Sequence, residues 1–388
     1  MPADTDVLEV CTCAQEVVPG CSLHDPVAYL CQVGFHRVGK CKRTGRRVSW
    51  MDAGEAGGVV VLFVLPSGCT RWVGVQLEPL ARRYGIRLIA IDRPGCGGTP
   101  MVPLDERIDK ATDMTVSVLE HLGVRPRHIL VASGGIYYAL RLLTRHPQYF
   151  LSRDSDGNLF PRLYNLAPWS PVLRGSEAYF QPLNLIPTPL IKVQHQILPT
   201  LLPALEYLGN AFEGSSMLLK DTRQRLPWSL GGFTERQVQR QVVKCRETWE
   251  GEHWGPGAAD FISAMIHLEN QGGIGQEHLI CLDRGCNTGA EWFQAELGLL
   301  ARTLAEVSPS RCTTATRAGS GRLQVEIWWG DQDGMVPKQG REWLNKLFAS
   351  KNDVLHLSVH RVKDGNHNDL IGRRAGIGQV LQMVALAG

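Results

Sequence analysis

The chain predicts an α/β fold, a mostly parallel, roughly eight-stranded sheet with helices on both faces. Three observations carry that prediction. Short apolar runs at Val59–Leu65 (VVVLFVL), Ile86–Ile91 and Ile129–Ala132 lack the alternation of half-solvated strands and read as strands buried on both faces. Each is followed by a loop and a stretch of helical periodicity, the order that right-handed crossovers require. The third is His128–Leu140 (HILVASGGIYYAL), where an apolar run stops at a serine and two glycines and then resumes at helical spacing.

At 388 residues, with 44% hydrophobic and 20% charged, the composition is that of a soluble globular protein able to bury a full core. The 41 Lys and Arg against 38 Asp and Glu leave a formal charge of +3, too small and too evenly spread for a nucleic-acid partner or an anionic membrane surface. The odd count of 11 cysteines and the polar, acidic opening MPADTDVLEVCTCAQ, unlike a secretory leader, predict a cytoplasmic protein. Leu183–Leu205 is the longest apolar stretch, but Lys192, Gln194, His195, Gln196 and four prolines break it, so no stable membrane insertion is expected.

Residues 1–30 read as an N-terminal arm. Cys11, Cys13, Cys21 and His24 raise a zinc site, but the close pair is one residue apart where structural sites favour about two to four, and an arm packed on the main domain is preferred. Gly34–Ala53 reads as two short strands joined at Thr44-Gly45, and Gly57-Gly58 releases the Val59–Leu65 strand. After Pro66-Ser67-Gly68 a helical stretch runs to Tyr84. The Ile86–Ile91 strand ends in Asp92-Arg93-Pro94-Gly95, where Asp92 and Arg93 are read as fixing a Gly-Pro turn.

A helix over roughly Leu104–Leu122 stripes Ile108, Ala111, Thr115 and Leu119 on one face. His128–Leu140 then reads as strand, sharp turn and helix, with Ser133 at the turn and the Gly134 amide at a helix N-terminus. Leu163–Pro168 is a sixth main strand. From Trp169 to about residue 321 the chain changes character, with helix-like segments, prolines and tryptophans. His195, His253, His267 and His278 there are read as structural, and Gln276 and Glu277 as packing residues. The sheet resumes at Leu323–Trp329, Pro337 opens a helix to about Phe348, Val354–Val362 is the last strand, and a terminal helix begins near Ile377.

The Ser133 unit resembles the nucleophile elbow of the α/β-hydrolase family, small-x-Ser-x-small, with Val131 in place of the first glycine and Ala132 where many members carry His. RLIAIDRPGCGG resembles the strand and loop that precede that unit, and Trp169-Ser170-Pro171 adds a likeness to capped, fungal-type serine hydrolases. The resemblance covers most of residues 34–388 and implies a hydrolase core at 31–168 and 322–388, with a large, mainly helical cap inserted after the sixth core strand at 169–321. It implies Ser133 as nucleophile, Asp333 as triad acid with Asp331 as runner-up, and His367 as base. The other place for an acid, after the sixth strand, reads Ala167-Pro168-Trp169-Ser170 and has no carboxylate. Leu65-Pro66-Ser67-Gly68 stands where the family has His-Gly-x-Pro, which implies the backbone N–H of Ser67 as an oxyanion donor beside that of Gly134.

The expected function is a serine-dependent hydrolase or acyl transferase acting on a mid-sized hydrophobic ester, thioester or amide, by analogy in secondary-metabolite biosynthesis. His367 would take the Ser133 proton and Asp333 would hold the imidazole tautomer. Such chemistry needs no metal and no organic cofactor, and no P-loop or dinucleotide glycine pattern occurs. The altered oxyanion loops keep an alternative: a non-hydrolytic enzyme of this fold, a cyclase, condensation enzyme or carbon–carbon lyase using His367 as base, and behind it a non-catalytic ligand-binding protein. The partner expected is a small hydrophobic substrate; oligomeric state is not legible.

Overall fold

A computed structural model of the chain describes residues 26–171, 186–193, 262, 265–266, 268–307 and 321–387. The cysteines before residue 26 with His24, most of Leu183–Leu205, and His195, His253 and His267 lie outside the described residues.

The main sheet uses β1 (Arg37–Lys40), β2 (Arg47–Gly54), β3 (Val59–Val64), β4 (Ile86–Ile91) and β5 (His128–Ala132). A small hairpin, β6 (Ser152–Arg153) and β7 (Leu159–Phe160), precedes β8 (Arg162–Leu166), β9 (Leu323–Gly330) and β10 (Leu355–Val362). The 8-stranded sheet has the order β1-β2-β4-β3-β5-β8-β9-β10. β1–β2 and β2–β4 pair antiparallel, and the remaining sheet pairs are parallel. In register, Val64 faces Val131, Ala132 faces Leu166, Leu166 faces Trp328 and Gly330 faces Val362. The loops after β3, β5, β8, β9 and β10 therefore leave along one edge of the sheet. In open parallel sheets that carboxyl edge is where ligands bind.

The described helices are α1 (Pro26–Leu30), α2 (Trp72–Arg83), α3 (Arg107–Leu122), α4 (Gly135–Arg145), α5 (Pro147–Phe150), α6 (Thr188–Lys192), α7 (Ile274–Cys281), α8 (Ala290–Val307), α9 (Lys338–Ala349) and α10 (Gln379–Ala387). Strand periodicity divides the core between two faces. Leu62, Ile129, Val131 and Val325 point to one side and pack with Met114, Leu140, Leu300 and Phe348 from α3, α4, α8 and α9. Val61, Phe63, Leu130 and Ala132 point to the other and pack with Leu77, Ala81, Val380 and Val384 from α2 and α10. Burial on both faces explains why these strands read as continuous apolar runs.

Within the insertion, α8 packs on α4: the Phe293 and Tyr137 rings lie 4.9 Å apart, and Glu296 accepts from Arg141 at 2.8 Å and Thr144 at 2.5 Å. The β6–β7 hairpin and a π-helical turn at Arg374–Gly378 before α10 carry no periodic signal and are structural additions to the sequence reading. Among the described residues no helix is long and apolar enough to cross a membrane, and no cluster of His, Cys, Asp or Glu could hold a metal ion.

His128, at the start of β5, is fully buried against the rings of Tyr164 at 5.7 Å and Phe160 at 6.1 Å. Among the described residues neither ring nitrogen has a hydrogen-bond partner. Burial, then Arg162 and Arg127, push its pKa down to about 3. An unfolded histidine takes its proton near pH 6.5, so below that the unfolded state binds the proton and the folded state does not. This contribution to stability is complete above about pH 6.5 and is lost toward pH 3, at about 1.4 kcal/mol per unit inside that window. Denaturant unfolding at pH 7 and pH 5 should show His128→Leu losing about 2 kcal/mol less than wild type across the interval. Equal losses in both proteins would assign the pH dependence elsewhere.

Candidate active site

β5 turns into α4 with no intervening loop, which forces Ser133 to a left-handed φ of 48°. Such a conformation costs a non-glycine residue of order 1–3 kcal/mol and persists only where surroundings hold it. Here the Ser133 N–H donates to the Leu166 carbonyl at 3.0 Å and its own carbonyl accepts from the Trp169 N–H at 3.1 Å. The glycines that follow have steric reasons. A Cβ on Gly134 would collide with Ser67 Oγ and come within 3.0 Å of Cys281 Sγ, and one on Gly135 would meet the Val64 and Leu65 carbonyls at 2.7 Å.

Two loops from neighbouring strands close on this turn. After β9, Asp333 is buried, and its Oδ1 accepts the N–H groups of Met335 at 2.9 Å and Val336 at 3.0 Å. Its Oδ2 lies 3.0 Å from His367 Nδ1. After β10, His367 reaches back so that Nε2 lies 2.8 Å from Ser133 Oγ. The two loops are joined by backbone, since the Gln332 N–H donates to the Gly365 carbonyl at 2.8 Å. Burial pushes the Asp333 pKa up, but the hydrogen bond and charge of His367 and the two amides outweigh it and hold the carboxyl below its ordinary value. With the proton on Nδ1, His367 donates to this carboxylate and its Nε2 is free to accept from the Ser133 hydroxyl.

On the other side stands the loop after β3. Ser67 Oγ sits over Gly134 and lies 3.4 Å from Cys281 Sγ, a thiol that burial pushes up to about 12. Among the described residues neither the Ser67 nor the Gly134 backbone N–H donates a hydrogen bond. Trp169 completes the described walls, with its ring edge-to-face with His367 at 6.3 Å and its indole N–H on the Cys281 carbonyl at 2.9 Å.

The structure thus brings Ser133, Asp333, His367, Ser67 and Gly134 to one place, while Asp331, two residues before Asp333, is exposed. The side chains of Asp92 and Arg93, expected to fix the Gly-Pro turn that follows them, reach other partners. Asp92 accepts from the Arg71 N–H at 2.6 Å, Arg71 Nη1 at 2.7 Å and Ser49 at 2.5 Å, while Arg93 reaches the Leu65 and Pro66 carbonyls. Cys281 and Glu277 come to the site from more than a hundred residues along the chain, and local periodicity carries no signal for that.

No family model matches the chain, and no curated protein matches by sequence. Solved structures do. A carboxylesterase from the ammonia-oxidizing thaumarchaeon Nitrososphaera gargenis superposes with a TM-score of 0.50 over 91% of this chain and 100% of its own, at 12% identity. A membrane phospholipase A described as a bacterial virulence factor gives 0.50 over 91% of this chain and 87% of its own, at 14% identity. At that identity the likeness is one of fold.

The strained serine predicts a separable effect on stability. Ser133→Gly relieves the left-handed backbone and should raise the unfolding midpoint, by about 1 kcal/mol after the extra chain entropy of glycine is deducted, whereas Ser133→Ala should not. Thermal unfolding of the two variants beside wild type reads this directly; equal midpoints would mean that the turn carries no strain.

Proposed function

This chain has the α/β-hydrolase fold, and within it we propose a serine hydrolase or acyl transferase that works through an acyl-enzyme on Ser133. The observation that carries the reading is the hydrogen-bonded line Asp333–His367–Ser133, at 3.0 and 2.8 Å, beside two uncommitted backbone N–H groups. In the first step Ser133 Oγ attacks the substrate carbonyl carbon and its proton passes to His367 Nε2. Asp333 stabilises the imidazolium that forms, without itself taking the proton. The Ser67 and Gly134 N–H groups receive the oxyanion, each of such donors being worth about 3–4 kcal/mol. The proton then goes from His367 to the leaving group, and a second acceptor, water or a substrate hydroxyl or amine, releases the acyl group by the reverse path.

Trp169 and Cys281 near Ser133 and Gly134 are buried and largely apolar, which supports a hydrophobic ester, thioester or amide as substrate. The insertion at 169–321 serves in this reading as the cap that shapes access to Ser133. The described cysteines are all free thiols, which supports a cytoplasmic location.

A fluorophosphonate probe followed by intact mass tests the assignment: one probe should add per wild-type chain and none to Ser133→Ala. Failure of a folded wild type to label would favour the non-hydrolytic alternative. The choice of acid is tested by the labelling rate. Asp333→Asn should slow it by roughly 10⁴-fold, because the amide favours the wrong imidazole tautomer, while Asp331→Asn should stay within about twofold.

A further inference from the structure

We infer that Arg93 is a positioning residue for the oxyanion hole, and that it is held in place by Glu277 of the inserted segment. The inference rests on the serine-hydrolase reading of the site. Arg93 Nη1 donates to the Leu65 carbonyl at 2.7 Å and Nη2 to the Pro66 carbonyl. These are the two carbonyls immediately before Ser67.

The geometry of the peptide unit gives those contacts their meaning. In a trans peptide the C=O and the following N–H point in opposite directions, so fixing the Pro66 carbonyl aims the Ser67 N–H. Pro66 has its φ locked by the ring, which leaves its ψ as the soft torsion upstream of that N–H. The Pro66 carbonyl also takes the Cys69 N–H at 3.3 Å, a local turn bond, but the charged contact from Arg93 is the stronger anchor.

Arg93 is itself boxed in. Its guanidinium lies 4.6 Å over the Tyr138 ring on α4, one helical turn past the serine, and its Nη2 is 3.2 Å from Glu277 Oε2. The other oxygen of Glu277 accepts from Arg107 Nε at 2.9 Å and from the Tyr138 hydroxyl at 2.9 Å. Arg93, Arg107, Tyr138 and Glu277 are all at most 5% exposed. Burial pushes the Glu277 pKa up, but the two guanidiniums and the Tyr138 hydroxyl outweigh it and keep the carboxylate charged. The segment carrying Glu277 docks on the loop after β4 by backbone, Gly273 N–H to the Gly95 carbonyl at 2.7 Å and Gly97 N–H to the Asn270 carbonyl at 2.9 Å. The inserted segment thereby sets the Arg93 that aims the Ser67 amide.

The test compares fluorophosphonate labelling kinetics for wild type, Arg93→Lys, Arg93→Met and Arg141→Lys, with thermal unfolding of each. Arg93→Lys keeps the charge beside Glu277 but loses the two-pronged reach, and should lower the limiting labelling rate about 10-fold. Arg93→Met should lower it about 100-fold, approaching loss of a whole oxyanion donor. The probe concentration at half-saturation should move by less than about threefold in both, because the hole acts on the transition state. Arg141→Lys disturbs a different ion pair between core and insertion, the one with Glu296, and should keep the limiting rate within about threefold.

Arg93 variants that label at the wild-type limiting rate would overturn the inference and leave the hydrolase reading intact. So would an Arg141→Lys loss as large as that of Arg93→Lys. A wild type that does not label overturns both. Should Arg93→Met fail to fold, Arg93→Lys carries the comparison alone.

Discussion

The parallel register of β3, β5, β8, β9 and β10 is the constraint from which the site follows. Because Val64, Ala132, Leu166 and Gly330 end their strands side by side, the chain has to change direction repeatedly along one edge. At β5 it does so most abruptly, and Ser133 takes the left-handed conformation that results. The neighbouring strands hold it there: Leu166 of β8 receives its N–H, and Trp169, just beyond β8, caps its carbonyl. The sheet that demands the strained turn also supplies the partners that stabilise it, which is the usual bargain at functional turns.

Around this edge the insertion is joined to the core by charge. Arg71 bridges Asp92 of the core to Glu269 at 2.6 Å, and Arg107 bridges α3 to Glu277. Buried ion pairs of this kind are weak contributors to net stability, since desolvation offsets most of their attraction, but breaking one partner leaves a charge stranded. Their effect is to make one docking geometry much better than its neighbours.

Much of this was legible in the sequence. Strands buried on both faces announce themselves as unbroken apolar runs, so β3, β4 and β5 were placed to within a residue or so. The two glycines after Ser133 mark a turn between strand and helix, and the resemblance to the α/β-hydrolase family put Asp333 and His367 in loops after late strands, where the structure sets His367 between Asp333 and Ser133. Partner choice was not legible. Asp92 and Arg93 read from sequence as fixing the turn that follows them, yet Arg71, just ahead of α2, offers Asp92 both a backbone N–H and a guanidinium, and Arg93 turns to the Leu65 and Pro66 carbonyls. Glu277 and Cys281 were beyond reach because their neighbours are set by how the insertion returns, a long-range fact that no window of periodicity contains.

That difference bears on the departures in the oxyanion loops. A glycine ahead of the donor amide gives freedom to reach an unusual torsion, and something else must then define it. Pro66 removes the freedom in φ, and the Arg93 contacts to its carbonyl and to that of Leu65 restrain what remains. Val131 in place of the first elbow glycine is equally explicable, because it points into the α3–α4–α8 face of the core, fully buried, and not toward the site. Neither change removes a donor: the N–H groups of Ser67 and Gly134 are both present and uncommitted. In the proposed reading the loop before Ser67 reaches definition by rigidity and an anchored carbonyl, and the insertion that supplies Glu277 becomes part of how the core aims its own backbone.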